Sequence, residues 1–388
     1  MRASLISSAL VAALVGYGST IALILAAAAA LGATPDQARS WAFAICLTTA
    51  FGSAGLSLWA KKPVVLAWST PGAAVIAASS GLSMNEGVAA FLLAGLLITA
   101  TGLIGWLGRL ITALPATLAA AMLAGVLLPF CLKVPALMIS TPWLVAPIVA
   151  VFMVVRLWNP AFAVLAALAA GIALAVGGTT ALPEGGLALP RLVFVAPDWS
   201  LAGLVGLGLP LYFVTMASQN LPGFAVMRGA GFEPPVRPAL TVTGLLSAVS
   251  AFFAAHTVNM AAITAAICLG KDVHPDPAQR WRVGLAYAGF WLCLGLFGPA
   301  ILAGLSALPP QLIATIAGLA LIAPLIGALV AAFTPEEGRF PAAVTLLVAA
   351  SGISILGVSG AFWGLMAGLA ALGLERLATI WRSSFTKG

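Results

Sequence analysis

Charge is what this sequence has least of. Its 388 residues include 10 Asp and Glu, 17 Lys and Arg and 2 His, so charged side chains make up 7% of the chain against 62% hydrophobic ones. A soluble domain carries roughly 25% charged residues. So few charges cannot cover a folded water-exposed surface, which excludes a soluble enzyme, a nucleic-acid module and a disordered chain. Cysteine is equally sparse. Cys46, Cys131, Cys268 and Cys293 stand singly in apolar stretches with no CxxC pair, and read as small buried hydrophobes rather than disulfides or metal ligands. HExxH, clustered Cys and His, and a P-loop are all missing. Metal hydrolysis and ATP-driven transport therefore lack their residues, and no catalytic residue, metal or cofactor is expected. No carboxylate falls mid-run, since Glu86 and Glu375 sit near run ends.

Long apolar runs fill the space that charge leaves. About 20 apolar residues cross a ~30 Å hydrocarbon core as a helix. Breaks at charges and Pro/Gly turns give spans at 8–31, 39–60, 63–82, 86–108, 111–131, 141–158 and 160–179. A polar connection with Glu184, Arg191 and Asp198 follows, then 200–226, 236–251, 252–270, 281–306, 309–333, 340–356 and 358–380. These runs are continuous, unlike the alternating ten-residue strands of a membrane β-barrel. The chain reads as an all-α polytopic membrane protein with about fourteen spans. The Ala-rich stretch Ala26 to Ala33 imitates a signal-peptidase site, but its apolar run exceeds the ~7–15 residues of a signal h-region and is expected to stay as the first helix.

The basic residues test the count independently. With the N-terminus in the cytoplasm, fourteen of them (Arg2, Lys61, Lys62, Arg109, Arg156, Arg228, Arg237, Lys271, Arg280, Arg282, Arg339, Arg376, Arg382 and Lys387) fall on the cytoplasmic side. Only Arg39, Lys133 and Arg191 fall outside. That bias follows the positive-inside rule, places both termini in the cytoplasm, and explains the basic residues without a nucleic-acid partner. Seven spans on each side of the 180–199 connection imply two halves inserted in opposite orientations. Weak similarity supports a duplication: Ser69-Thr70-Pro71-Gly72-Ala73-Ala74 in the third span matches His256-Thr257-Val258-Asn259-Met260-Ala261 in the tenth.

Polar residues inside the spans mark where chemistry is possible. In Trp68-Ser69-Thr70-Pro71-Gly72, a first-turn proline behind two capping residues describes either a helix starting in mid-membrane, with N–H groups facing an anion, or a kinked packing helix. In Ser218-Gln219-Asn220-Leu221-Pro222-Gly223, two adjacent amides serve substrate or coupling, or act as interhelical glue. His256 is the titratable side chain, cysteines aside, nearest the membrane interior. It reads either as a neutral histidine satisfied by a neighbouring helix or as a proton relay.

At these residues the sequence resembles the benzoate:proton symporter family of bacterial inner membranes, over essentially its whole length. The most specific pieces are Ser218 to Gly223, Asn259 to Cys268, and His274-Pro275-Asp276-Pro277 followed by Arg280-Trp281; Trp68 to Gly72 also fits the family's third span. Val273 stands where a small residue such as alanine is expected. The wider resemblance is to the uracil-permease-like fold. It implies seven plus seven inverted repeats, a core domain (1–110 with spans 1–4, and 200–306 with spans 8–11) and a gate domain (111–180 with spans 5–7, and 307–380 with spans 12–14). It also implies that spans 3 and 10 are each a short strand and a half-helix, and that gate domains pair into a homodimer. Uracil permeases use membrane-embedded glutamates; this chain has none at the matching places, so their coupling does not carry over.

The resemblance implies inward symport of benzoate or a close aromatic carboxylate with protons across the bacterial inner membrane. Another organic or inorganic anion is the alternative within the class; a channel or membrane enzyme is the alternative outside it. The half-helices are expected over 70–82 and 257–270, with backbone N–H groups near Gly72, Ala73, Asn259 and Met260 facing the carboxylate. Ser69, Thr70, Gln219, Asn220 and Asn259 are expected to add side-chain hydrogen bonds. Tyr17, Trp68, Phe213 and Phe252 are candidates to pack on the ring, and His256 is the candidate proton carrier.

Overall fold

The computed structural model describes residues 3–18, 20–105, 115–160, 162–177, 190–261, 263–271, 273–355 and 358–385. Arg2, Arg109, Glu184, Ala262, Asp272 and Lys387 lie outside the described residues. The first half comprises α1 (Ala3–Gly18), α2 (Ile21–Ala30), α3 (Pro35–Ala60), β1 (Leu66–Trp68), α4 (Thr70–Ala77), α5 (Met84–Leu103), α6 (Ala116–Ser140), α7 (Pro142–Trp158) and α8 (Ala163–Gly177). The second comprises α9 (Ala202–Gly229), α10 (Val236–Ala251), β2 (Val258–Met260), α11 (Ile263–Leu269), α12 (Arg282–Ser306), α13 (Pro310–Phe333), α14 (Arg339–Ala350), a β3–β4 hairpin (Ser354–Ile355 and Val358–Ser359) and α15 (Gly360–Phe385).

Among the described residues, eight helical segments are long and apolar enough to cross a bilayer and four apolar helices are shorter. Two further crossings, β1–α4 and β2–α11, combine a strand with a half-helix, so the expected fourteen are present. Local chemistry sets several starts. Thr34 and Gln37 close a capping box on α3, Ser83 and Glu86 another on α5, and Ser69 Oγ caps α4 by accepting from Gly72 N. Several boundaries differ from the sequence reading: the first half-helix, α4, ends at Ala77 rather than 82, and two further differences have a clear cause. The fifth crossing, α6, runs on to Ser140, because Pro129 and Pro135 are absorbed inside the helix. The tenth crossing's half-helix starts at Ile263, not 257, because Val258, Asn259 and Met260 pair as a strand with Trp68, Ala67 and Leu66.

That antiparallel ribbon is the centre of the fold. Extended backbone at membrane depth survives only where protein satisfies every N–H and C=O beyond the ladder. Serines of the flanking helices do this in both halves. On α3, Ser53 Oγ accepts from Leu66 N (3.0 Å), and Ser57 Oγ accepts from Val64 N (3.0 Å) and donates to Val64 O (2.9 Å). On α10, Ser247 Oγ accepts from Val258 N at 2.9 Å and donates to Thr243 O at 2.7 Å, with Val258 O a longer second acceptor at 3.3 Å. Tyr287 OH donates to Leu66 O at 3.0 Å. Each half-helix starts where its strand ends, so α4 and α11 leave the ribbon in opposite directions.

The helices sort into two packed groups, each drawn from both halves. In one, α3 lies along α12, α5 along α10, and α1 on α12 and α11. Small residues set the closest approach there: a Cβ on Gly244 of α10 would lie 2.3 Å from Thr99 N of α5, and one on Gly95 would lie 2.6 Å from Ala248 N. In the other group, α6 lies along α13 and α14, α14 along α15, and α7 along α8. The groups meet where α4 and α9 face α6.

Candidate functional site

Where the groups meet lies a cavity of about 760 Å³. Pro71, in the first turn of α4, and Phe213, Ala217, Ser218, Gln219, Leu221 and Pro222 of α9 line one side. The facing walls come from α6 (Ala116 to Leu123), α13 (Ala323 to Ala331) and Leu365 of α15. Ser218 and Gln219 are the polar side chains in a wall of Ala, Leu, Pro, Gly and Phe, and no charged residue lines it. Helix α9 is wound as π-turns over Met216–Asn220, a distortion frequent at functional positions. Ser218 and Gln219 are half-buried, and among the described residues neither side chain has a hydrogen-bond partner. Both are free to meet a ligand.

The neighbouring polar residues are committed to one another. Asn220 is fully buried; its Oδ1 accepts from Met260 N (2.9 Å) and its Nδ2 faces Met216 Sδ (3.4 Å). With its amide oriented to satisfy both ends, Asn259 accepts from Ser69 N (3.0 Å) and donates to Met260 O (2.8 Å). Ser69 Oγ accepts from Gly72 N (3.0 Å) and from Thr215 Oγ1 (3.1 Å), and Ser69 O accepts from Ala73 N (2.8 Å). Thr215 continues the network to Thr257 Oγ1 at 2.9 Å. The N–H groups of Gly72, Ala73 and Met260, expected as donors to a carboxylate, therefore already have partners within the protein. Asn259 and Met260 lie in strand β2 rather than in a helical first turn.

His256 belongs to the same network and is fully buried. Trp41 Nε1 lies 2.9 Å from its Nδ1, and its Nε2 lies 3.0 Å from Ser69 O. An indole N–H can only donate, so Nδ1 carries the lone pair, Nε2 carries the proton, and the ring is neutral. A second proton on Nδ1 would point at the Trp41 N–H. This geometry makes His256 a brace between α3 and the cap of α4, and favours that reading over the proton relay.

The aromatic candidates divide. Phe213 lines the cavity. Tyr17 and Trp68 are buried in a cluster with Trp291, their ring centroids 5.3 Å apart and Trp68 5.1 Å from Trp291; Trp68 Nε1 donates to Thr20 Oγ1. Phe252 is away from the cavity, stacked on Phe194 with centroids 5.7 Å apart. Thr70 is half-buried beside Pro71. The structure thus gathers Ser69, Asn220, His256, Asn259 and Met260 into a buried knot, brings Phe213 and Gln219 to the cavity, and separates Phe252 from both. Ser218, Thr215, Thr257, Trp41 and the small residues of α6 and α13 complete the arrangement. Thr215, one turn before Gln219, was the available sequence signal.

Inverted halves of seven crossings, central half-helices and a cavity between two helix groups define a polytopic protein of the inverted-repeat transporter fold. Solved structures that share it include two of low sequence identity. The transmembrane domain of a cyanobacterium bicarbonate transporter, BicA, matches with TM-score 0.57 and 15% identity over 95% of this chain and 98% of that one. SLC26A9 matches with TM-score 0.65 and 12% identity over 97% of this chain and 66% of that one. A profile of the BenE family, described as benzoate membrane transport protein, matches residues 1–374. "Inner membrane protein YdcO" of Escherichia coli is 41% identical over 359 residues, 92% of each chain. "Benzoate membrane transport protein" of Acinetobacter baylyi is 33% identical over 363 residues, 93% of this chain and 92% of that one. This chain belongs to the BenE family and is a membrane transporter.

Proposed function

We propose that the protein is a secondary active transporter that imports benzoate or a close aromatic carboxylate by proton symport. The observation that carries this reading is the 760 Å³ cavity, apolar except for the free Ser218 and Gln219 side chains. A ring packs against Phe213 and the Ala- and Leu-rich walls, whereas an inorganic anion would leave that surface unused. A primary amide offers one donor and one acceptor side by side. A carboxylic acid presents the complementary pair: the Gln219 N–H donates to the acid carbonyl and the acid O–H donates to Gln219 Oε1. No cationic side chain lines the cavity to neutralise a bare carboxylate, and burying one uncompensated is expensive. The proton therefore travels on the substrate, and the two move as one neutral unit. This removes the opposing ~2.3 kcal/mol per charge per 100 mV of an inside-negative potential and adds the pH gradient as driving force.

The helix groups supply the moving parts in this reading. Residues 1–110 and 200–306 form the core that carries the half-helices and Gln219; residues 111–180 and 307–380 form the gate, which also pairs into a homodimer. The name of the Escherichia coli relative and the distribution of basic residues support the inner membrane, with both termini cytoplasmic. Uptake of labelled benzoate into proteoliposomes under an inward proton gradient tests the reading. Accumulation above the external concentration, faster than in protein-free liposomes and lost when the gradient is collapsed, is expected. Equilibration without accumulation would identify a channel, and conversion of the benzoate an enzyme.

A further inference from the structure

A second cavity, of about 260 Å³, lies on the same seam between the helix groups. Four elements place it beyond the first. On α4 the central cavity meets Pro71, whereas the second meets Val75 and Ala77 and, just past the helix end, Ala78, Ser79 and Ser80; on α6 they meet Ala116 to Leu123 and Val126 to Lys133. On α9 they meet Phe213 to Pro222 and Gly206, and on α15 Leu365 and Gly360. The shift of some ten residues along α6 corresponds to about 15 Å of helix, half the thickness of a bilayer core. No residue lines both cavities, so they are separate sites on the seam.

The second cavity has the charge that the first lacks. Lys133 is its one ionisable lining residue, with Nζ 5.5 Å from the centre of the Phe130 ring. No carboxylate lines it, and among the described residues Lys133 has no ion-pair partner. Arg39, on the same side by the distribution of charge, is held by Asp36 at 2.9 Å. Leu82, Phe130 and Ile353 complete an apolar wall. We infer that this cavity is an outer capture site for the ionised aromatic carboxylate, with Lys133 receiving the carboxylate and Phe130, Leu82 and Ile353 the ring. The anion is held here before it takes up its proton and passes as the neutral acid to Gln219. The inference rests on the proposed symport for its substrate, and adds a residue and a place on the path that the central cavity does not contain.

Amine labelling of Lys133 by a water-soluble acylating reagent on the detergent-solubilised protein, where both faces are accessible, read by mass spectrometry with Lys61, Lys62 and Lys271 as references, tests the site directly. Benzoate at low salt is expected to slow labelling of Lys133 selectively, in the wild type and in Gln219→Ala alike. High salt abolishes the protection, because an exposed ion pair is screened. In the uptake assay Lys133→Gln raises the half-saturating benzoate concentration about two- to fivefold, the scale of one exposed ion pair, and Lys133→Arg restores it. Labelling unaffected by saturating benzoate, or Lys133→Gln with wild-type half-saturation at low salt, overturns the inference. A wild type that protects Lys133 but accumulates no benzoate overturns the symport reading and leaves the capture site standing.

Discussion

Two adjacent amides in α9 have opposite fates. Asn220 is spent on Met260 N, and its neighbour Gln219, on an adjoining face of the same π-wound turn, faces the cavity. Gln219→Ala removes two hydrogen bonds of ~1 kcal/mol each, so benzoate binding is expected to weaken about thirtyfold, measured by calorimetry on the detergent-solubilised protein. Asn220→Ala should instead lower thermal stability, because it leaves Met260 N–H buried without a partner. His256 separates brace from relay: glutamine offers one acceptor for Trp41 Nε1 and one donor for Ser69 O. His256→Gln is therefore expected to keep proton-driven uptake with the wild-type pH profile, and His256→Ala to lose ~1–3 kcal/mol of stability. A pH profile displaced in His256→Gln would return the proton to the imidazole.

The strand–half-helix units depend on helices that never touch the cavity. Ser53 and Ser57 on α3 hold the first unit, and Ser247 on α10 holds the second. Ser247→Ala leaves Val258 N–H unpaired at membrane depth, and the unfolding midpoint in detergent should fall by an amount equivalent to ~1–3 kcal/mol. Glycine makes the helix pairing behind these serines possible. A Gly244→Leu substitution drives its Cβ to 2.3 Å from the Thr99 backbone, which cannot yield, so folded protein should be lost on size-exclusion chromatography. Gly55→Ala, where a Cβ meets nothing within 4 Å, is the matched control and should be neutral.

Over the whole molecule, the cavities occupy successive levels of one seam. In a chain with its four cysteines replaced, Ala331→Cys, in the central cavity, should react with an impermeant thiol reagent from the side of the Arg228 and Arg339 loops. Ser80→Cys, in the second cavity, should react from the opposite side. Benzoate should protect the first position. Labelling of both from one side would contradict the assignment of the cavities to opposite faces.

The number of crossings, their alternating insertion and the start of α4 at Ser69-Thr70-Pro71 follow from local properties: apolar length, loop charge, and the chemistry of a cap. Such properties act within about twenty residues, and the sequence by itself determined them. The same reasoning ended helix α6 at residue 131, although Pro129 and Pro135 lie inside it, because the helices packed along it, α13 and α14, come from distant segments. Which polar groups remain free was decided only by the tertiary structure. Ser69 is bound through residues of α9 and the β2 segment, His256 through Trp41 of α3, and Asn259 through a strand pairing that displaced the start of α11. A buried polar group takes whatever partner the fold brings within 3 Å, and those partners lie some 40 to more than 200 residues away in the chain.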